Sequence, residues 1–432
     1  MTQPPDASES PAAARQPGRA GSVELPPVEL PPVELRDGVP PLTDTPEGLA
    51  EAVRALGSGR GPVAVDAERA SGFRYGQRAY LVQFHRRGSG TWLIDPIALR
   101  DLTALQASIA DDEWVLHAAS QDLPCLREIG LRPSRIFDTE LAARMLGRDR
   151  VGLGPLVEAE LGMYLAKGHG AADWSTRPLP DSWLRYAALD VEVLLELRDL
   201  LAADLLATGK EEWAAEEFTS VLGAPPAPPR TDPWRRTSGM HKVRGRRALA
   251  IVRSLWEARD VIARERDISP GRILPDAAIV AAASAAPTGC EVLLALPEFT
   301  KPGAKRYARR WCAALTDALA IPDADLPPQT LPGDGPPPPR LWAERDPDAA
   351  ARLAAARAGL TELSERVSMP VENLVSPESV RRLAWRPPVP VDASAVDSAL
   401  AGMGTRAWQR ALVAEPLARA LAATADPADE SA

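Results

Sequence analysis

The feature that most constrains the fold is a short apolar run that carries two carboxylates, residues 63–68 with Asp66 and Glu68. Two more apolar runs follow, residues 79–84 and 92–96, and polar or glycine-containing loops separate all three. Runs bounded in this way are typical of consecutive strands in a meander. Because residues i and i+2 of a strand face the same side, both carboxylates point at one spot. Like charges this close repel, which predicts a cation or a proton between them.

Proline-rich stretches divide the chain into segments with different patterns. The 432 residues include 44 prolines, about twice the usual share. Strands followed by alternating strands and helices predict an α/β domain with a mixed sheet flanked by helices, and helical periodicity dominates the later segments. The predicted divisions are a disordered tail (1–40), the α/β domain (41–220), a linker (221–231), a helical bundle (232–318), a linker (319–340), a second bundle (341–423) and a disordered end (424–432).

Two finer predictions concern the helices. Residues 180–206 predict one long helix at the end of the α/β domain. Residues 265–274 and 365–374 align at a constant offset, with Glu, Arg, Pro and Leu recurring. This internal repeat predicts two small helical modules in tandem.

Cysteine spacing, hydropathy and a missing motif indicate the cellular compartment and the absence of a nucleotide cofactor. Cys125, Cys290 and Cys312 show no disulfide-like spacing, which predicts unpaired thiols in a reducing compartment. No apolar run reaches about 18 residues, and no basic and apolar leader opens the chain. A phosphate-cradling GxxxxGK[ST] loop is absent from the sequence, so we expect no nucleotide cofactor. We therefore expect a cytoplasmic protein outside the membrane. A monomer is the default expectation, but no sequence feature specifies the oligomeric state.

Further acidic residues are candidates to complete a cation site with the first two. Asp122 begins a predicted helix, and Tyr186 and Asp190 are spaced i and i+4 on another, so that they share one face. Glu192 on the same helix should point elsewhere. An acidic residue at either kind of position is usually a cap or a solvated side chain, and only the combination indicates a site.

The motifs around these residues resemble a known superfamily. Val-Asp-Ala-Glu at 65–68, Leu-His-Ala-Ala-Ser-Gln-Asp-Leu at 116–123 and Arg-Tyr-Ala-Ala-Leu-Asp-Val at 185–191 are similar to the three exonuclease motifs of the DEDD superfamily. Tyr186 marks its DEDDy branch. Residues 136–139 and 173–179 resemble ribonuclease D in particular. The resemblance implies a ribonuclease H-like fold and hydrolytic removal of nucleotides from 3′ ends.

The resemblance also implies a role for each motif residue. Asp66 would bridge two divalent ions, Mg²⁺ or Mn²⁺, and Glu68 and Asp190 would hold the ion that activates water. Asp122 would hold the second ion, and Tyr186 would orient the attacking water. Hard oxygen ligands suit these metals, and two ions can clamp the attacking and leaving oxygens of a phosphodiester.

Neighbouring residues are weaker candidates. Arg69 stands where the family often has an aromatic or aliphatic residue, which affects packing beside the site. His117 fits a hydrogen-bonded core residue, and Asp138 fits a helix cap that braces the site. The loop before the last motif contains polar and aromatic residues that could line the strand entry, with Arg177 the favoured phosphate contact: Lys167, His169, Trp174 and Arg177.

The first bundle is basic although the chain is acidic. The net charge is −9, but residues 232–315 hold 16 basic and 8 acidic residues, a density that fits a phosphate footprint. Its sequence resembles the helicase-and-RNase-D C-terminal (HRDC) domain, and the near-neutral second bundle resembles a diverged copy that packs or shapes a channel. The candidate nucleic-acid contacts are Lys242, Arg244, Arg246, Arg247, Lys301, Lys305, Arg306, Arg309 and Arg310.

These observations predict a metal-dependent 3′→5′ exoribonuclease that trims structured RNA such as tRNA precursors. The same acids would serve a 3′→5′ exonuclease of single-stranded DNA, because discrimination depends on 2′-hydroxyl contacts that the sequence does not show. A noncatalytic RNA-binding protein on a decayed nuclease fold is a further alternative, and the complete set of acids argues against it.

Overall fold

The computed structural model describes residues 30–166, 168–331, 333 and 335–422. Six strands form one mixed sheet in the order β1-β4-β3-β2-β5-β6. The predicted meander is β2, β3 and β4, which pair antiparallel, and β5 and β6 extend the sheet in parallel from β2. The strands are β1 (Leu42–Thr43), β2 (Arg60–Arg69), β3 (Ala79–Arg87), β4 (Gly90–Ile94), β5 (Glu113–Leu116) and β6 (Arg135–Asp138).

Helices cover both faces of this sheet, as the predicted α/β class requires. Thr45 caps the first helix by accepting a hydrogen bond from the Gly48 N–H, and Pro46 occupies the first turn, where its missing N–H has no cost. The helices are α1 (Pro46–Ser58), α2 (Thr103–Ser108), α3 (Leu123–Glu128), α4 (Thr139–Met145), α5 (Leu153–Leu161), α6 (Asp181–Glu192), α7 (Leu194–Ala207) and α8 (Glu211–Gly223).

The predicted single helix over 180–206 is wrong, because the chain breaks into α6 and α7 at Val193. Buried apolar residues continue through the break, so the periodicity does not reveal it. α6 packs on β2, β3 and β4, whereas α7 packs on β2 and β5 and on the helices α4, α5 and α8. The break therefore lets α6 lie over the strand that carries Asp66 and Glu68.

Each helical module contains one long helix that is followed by a residue in the left-handed region. α9 and α16 each have 21 residues and end at a residue with positive φ, Asp267 or Ser368. The basic module contains α9 (Arg246–Arg266), α10 (Pro270–Ile273), α11 (Asp276–Ala285), α12 (Cys290–Ala295), α13 (Pro302–Lys305) and α14 (Ala308–Ala320). The C-terminal module contains α15 (Trp342–Arg345), α16 (Pro347–Val367), α17 (Val371–Leu374), α18 (Pro377–Trp385), α19 (Ala393–Gly402) and α20 (Ala407–Ala422).

The two modules differ in how their cores are built. The basic module has a core of its own, but the apolar core of the C-terminal module is continuous with that of the α/β domain. Trp408 of α20 stacks on Trp213 of α8, with ring centroids 5.3 Å apart. The buried Lys210 Nζ donates to the carbonyls of Met145 and Ser368 and so joins both parts. The near-neutral module thus packs against the first domain.

The end of the predicted disordered tail is ordered, which corrects its boundary at residue 40. Val33 is buried, and its N–H donates to the Tyr164 carbonyl while the Tyr164 N–H donates to the Pro31 carbonyl. The Arg36 guanidinium pairs with Glu196 and lies 3.7 Å from Glu192. Residues 1–29 and 423–432 lie outside the described residues.

The prediction of three unpaired thiols is also wrong. Cys290 and Cys312 form a disulfide with their Cα atoms 4.9 Å apart. α12 and α14 pack against each other, and this contact between distant segments is not visible in cysteine spacing. Cys125 is buried and free. Within the described residues, no helix has both the length and the apolar character needed to cross a bilayer.

Candidate active site

Three acidic side chains from two elements meet at the centre of the sheet. Asp66 and Glu68 lie on β2, and Asp190 lies on α6 directly above it. One carboxylate oxygen from each of the three lies within 4.8 Å of the others. The strand and helix spacings of the sequence therefore converge on one point, as the motifs predicted.

Asp122 completes the set and lines a cavity of about 640 Å³ together with Asp66, Glu68, Tyr186 and Asp190. It begins α3 but makes no side-chain capping hydrogen bond, so its carboxylate is available to the cavity. The Arg69 Nη2 lies 3.7 Å from Asp122 Oδ1.

Burial and mutual repulsion disfavour the ionised forms of these four carboxyl groups. Burial, followed by Asp66 and Asp190, raises the pKa of Glu68 to about 10. Burial and then Asp66 raise the pKa of Asp122 to about 8, and burial raises the pKa of Asp66 and Asp190 as well. Oxygen ligands that repel one another fit a hard divalent cation such as Mg²⁺ or Mn²⁺.

Tyr186 lies at the edge of the cluster under a tightly packed loop. Its hydroxyl hydrogen-bonds to Asp190, and burial followed by that acid raises its pKa, so it stays protonated. A Cβ on Gly168 would lie 3.0 Å from the Tyr186 ring, and the His169 ring contacts the tyrosine edge-on at 5.9 Å. The close approach at Gly168 fixes the tyrosine beside Asp190.

His117 and Asp138 hold the segment that delivers Asp122. The His117 Nδ1 lies 2.9 Å from Thr139 Oγ1, and burial lowers the pKa of this histidine to about 4. Asp138 accepts hydrogen bonds from two N–H groups at the start of α4 and from the N–H groups of Ala118 and Ala119. Asp138 is the cap and brace that the sequence predicted.

Three segments of the chain match models of known protein families. Residues 42–206 match a model described as a 3′-5′ exonuclease, and residues 335–421 match one described as a 3′ to 5′ exonuclease C-terminal domain. Residues 248–315 match the HRDC domain. The basic module and the C-terminal module thus match different models.

Curated relatives decide the family. Ribonuclease D of Gluconacetobacter diazotrophicus is 32% identical over 309 residues, which cover 69% of this chain and 77% of the relative. The chain belongs to the ribonuclease D family. Ribonuclease D of Acidiphilium cryptum is 36% identical over 237 residues, but that match covers 52% of this chain and only 59% of the relative.

Two crystal structures share the architecture of this ribonuclease D family member. A protein from Bifidobacterium adolescentis is 39% identical, with a TM-score of 0.83 over 91% of this chain and 100% of its own. Escherichia coli RNase D, described as an exoribonuclease involved in structured RNA processing, is 25% identical, with a TM-score of 0.63 over 89% of this chain and 98% of its own.

Two predicted nucleic-acid contacts of this ribonuclease D family member occupy structural positions instead. The Trp174 side chain is fully buried against Trp183, so it cannot stack on an incoming base. The Arg177 guanidinium donates to both oxygens of Asp95 and to the Tyr80 carbonyl. Both predictions assumed that this loop lies on the surface, whereas it folds onto the domain. Lys167 lies outside the described residues.

The basic cluster of residues 242–247 is also largely engaged within the protein. Arg247 donates to carbonyls at the end of α14 and to Asp323. Arg246 donates to carbonyls of residues 324–327, and Arg244 to those of His241 and Val243. Lys242 is exposed. The second cluster lies on the surface around α13 and the start of α14: Lys301, Lys305, Arg306, Arg309 and Arg310.

A loop after β2 joins the basic module to the α/β domain, and sequence reasoning missed this contact. Asp267 at the end of α9 accepts hydrogen bonds from the N–H groups of Tyr75 and Gly76. The Arg272 guanidinium lies 4.0 Å from the Phe73 ring centroid. The only sequence signal is the aromatic content of that loop, which does not identify its partner.

Proposed function

We propose that this chain is a divalent-metal-dependent 3′→5′ exoribonuclease that removes nucleotides from the 3′ ends of structured RNA, with tRNA precursors as the substrate class. The observation that carries the proposal is the convergence of Asp66, Glu68 and Asp190 within 4.8 Å. Membership of the ribonuclease D family and the similarity to Escherichia coli RNase D support the choice of RNA.

The acidic groups divide between two ion positions in this proposal. Asp66, Glu68 and Asp190 would hold one ion, and Asp66 with Asp122 would hold the second. When bound, such ions stabilise charge on the scissile phosphate and lower the pKa of a bound water. The protonated Tyr186 hydroxyl, anchored by Asp190, orients the attacking water. Arg69, 27% exposed at the cavity wall, contacts a phosphate of the terminal nucleotides.

The test is a trimming assay on matched substrates. The full chain is incubated with a 3′-extended structured RNA, a 5′-extended RNA and a single-stranded DNA, each with Mn²⁺ and with EDTA. Stepwise shortening of the 3′-extended RNA in Mn²⁺ alone is expected. If the DNA is shortened and the RNA is not, the substrate is DNA and the proposed substrate class is wrong. Activity in EDTA would refute the metal requirement.

Replacing Tyr186 with Phe is expected to lower kcat by about 10²-fold, the scale of a positioned proton-transfer group. Mn²⁺ affinity, measured by calorimetry without RNA, should stay within a few-fold, because the four acids remain. If Mn²⁺ affinity and kcat fall by the same factor, Tyr186 instead acts by holding Asp190 in position to bind the ion.

The exposed basic cluster is expected to provide phosphate contacts. The triple substitution Lys305→Gln, Arg306→Gln and Arg309→Gln should weaken RNA binding and lower the slope of log Kd against log salt by about one for each phosphate interaction removed. These substitutions are preferred to deletion of the modules, because the C-terminal module completes the core of the catalytic domain.

The matched control removes three exposed arginines from the near-neutral module: Arg345→Gln, Arg357→Gln and Arg366→Gln. This variant loses the same charge and should keep most of the affinity and slope. Equal losses in both variants would show that net charge alone, and not this cluster, sets RNA binding.

A further inference from the structure

Gln83 on β3 is a buried amide that the described contacts leave unused. Its side chain is fully buried, and neither the amide oxygen nor the amide nitrogen has a hydrogen-bond partner among the described protein atoms. An unpaired buried amide is destabilising, and each such group in a native fold requires an explanation.

The strand register places this amide beside the candidate metal site. Gln83 is the direct antiparallel partner of Asp66 on β2 and of Leu93 on β4. Side chains of directly opposed residues lie on the same face, with Cβ atoms about 4.5–5.5 Å apart. That face is covered by α6, the helix that carries Asp190.

Among the residues beside Gln83 on β2, β3 and β4, Asp66 offers the available acceptor. Leu81 and Leu93 are apolar and belong to the small core under α6. His85, two residues along β3, is already engaged by Thr91 at 2.8 Å and lies 3.5 Å from Glu192. A carboxylate has about four acceptor positions, so Asp66 can accept an amide N–H while its remaining lone pairs face the cavity.

We propose that Gln83 is a positioning residue for Asp66, whose amide N–H donates to that carboxylate and holds it in the orientation that binds a divalent cation. The inference rests on the proposed function, in which Asp66 contacts both ions. A hydrogen bond from outside the ligand shell holds a metal ligand in its binding orientation. The amide then has its partner in the metal-loaded protein.

The test compares Gln83→Met with the wild-type full chain by Mn²⁺ titration calorimetry in the absence of RNA. Methionine keeps the length of the side chain and removes both polar atoms. The Mn²⁺ dissociation constant is expected to rise about 10- to 100-fold, the usual effect of losing such a partner. In EDTA the thermal midpoint of the variant is expected to be higher, because the unpaired amide is gone.

Gln409→Met is the matched control. Gln409 is also buried, but its amide is satisfied by the Asn373 carbonyl at 2.7 Å and the Arg406 N–H at 3.0 Å. This variant should have a lower midpoint and unchanged Mn²⁺ affinity. Gln83→Leu serves as a second apolar variant in case methionine overfills the site.

Unchanged Mn²⁺ affinity in both Gln83 variants would overturn the proposal. A lower EDTA midpoint in both would do so too, because it would show that Gln83 has a structural partner unrelated to metal binding. These readouts need no nuclease activity, so they are separate from the trimming assay. A wild-type chain that binds Mn²⁺ but leaves RNA intact would refute the proposed function and not this inference.

Discussion

Replacing Asp66 with Asn is expected to abolish RNA trimming, with kcat reduced by at least on the order of 10³-fold, as for the loss of one member of a catalytic unit. Asp66 lies between the two groups of acids, so the amide weakens both proposed ion positions at once. The measurement is single-turnover shortening of a 3′-extended RNA in Mn²⁺.

The same variant is expected to be more stable than wild type when metal is removed. Glu68 has its pKa raised from 4.5 to about 10, so the folded protein binds more protons than the unfolded chain between those values. Metal-free stability therefore falls as pH rises through that window. Asn at position 66 removes one repelling charge, and the thermal midpoint in EDTA at pH 8 should rise. Mn²⁺ should raise the midpoint of wild type but not of the variant.

Asp325→Asn is the control for this pair of measurements, because Asp325 is an exposed acid in the second linker. It should leave trimming, EDTA stability and the Mn²⁺ shift unchanged. An Asp66→Asn protein that still trims RNA at the wild-type rate would contradict the assignment of Asp66. A variant less stable than wild type in EDTA would contradict the electrostatic account.

Replacing Trp408 with Ala is expected to lower the free energy of unfolding by about 3–5 kcal/mol, the range for large-to-small changes at buried aromatic sites. The ring stacks on Trp213, and its Nε1–H donates to the buried Glu217 at 3.0 Å. Glu217 would lose that donor while it remains buried beside Arg406. Because the core is continuous, RNA trimming and helical circular dichroism should be lost at the same temperature.

Val389→Ala is the control, since Val389 is 94% exposed and such surface changes stay within about 0.5 kcal/mol. Two separate unfolding transitions in the Trp408→Ala protein, with trimming preserved through the first, would show that the C-terminal module is independent of the catalytic domain.

The sequence predicted the parts of this molecule that depend on local patterns. Alternation placed Asp66 and Glu68 on one face of a strand, and helical spacing placed Tyr186 and Asp190 together. The convergence of strand and helix came from resemblance to a family, because no local pattern specifies which helix covers which strand.

Contacts between distant segments explain why some sequence predictions disagree with the structure. Trp174 and Arg177 look like surface residues until the loop folds onto β3 and β4. Arg246 and Arg247 look like phosphate contacts in the sequence, but in the fold they donate hydrogen bonds to carbonyls at the end of α14 and in the second linker. Gln83 looks like an ordinary strand residue, and only the register with Asp66 gives it significance.

The shared core has a consequence for the synthesis of the protein on the ribosome. α8 of the catalytic domain emerges roughly 200 residues before the end of α20, a delay of about 10–40 s at typical elongation rates. During that interval the face of α8 that receives Trp408 is exposed, and the catalytic domain lacks part of its interior. A chain that stops before α20 would therefore leave this part of the catalytic domain unpacked.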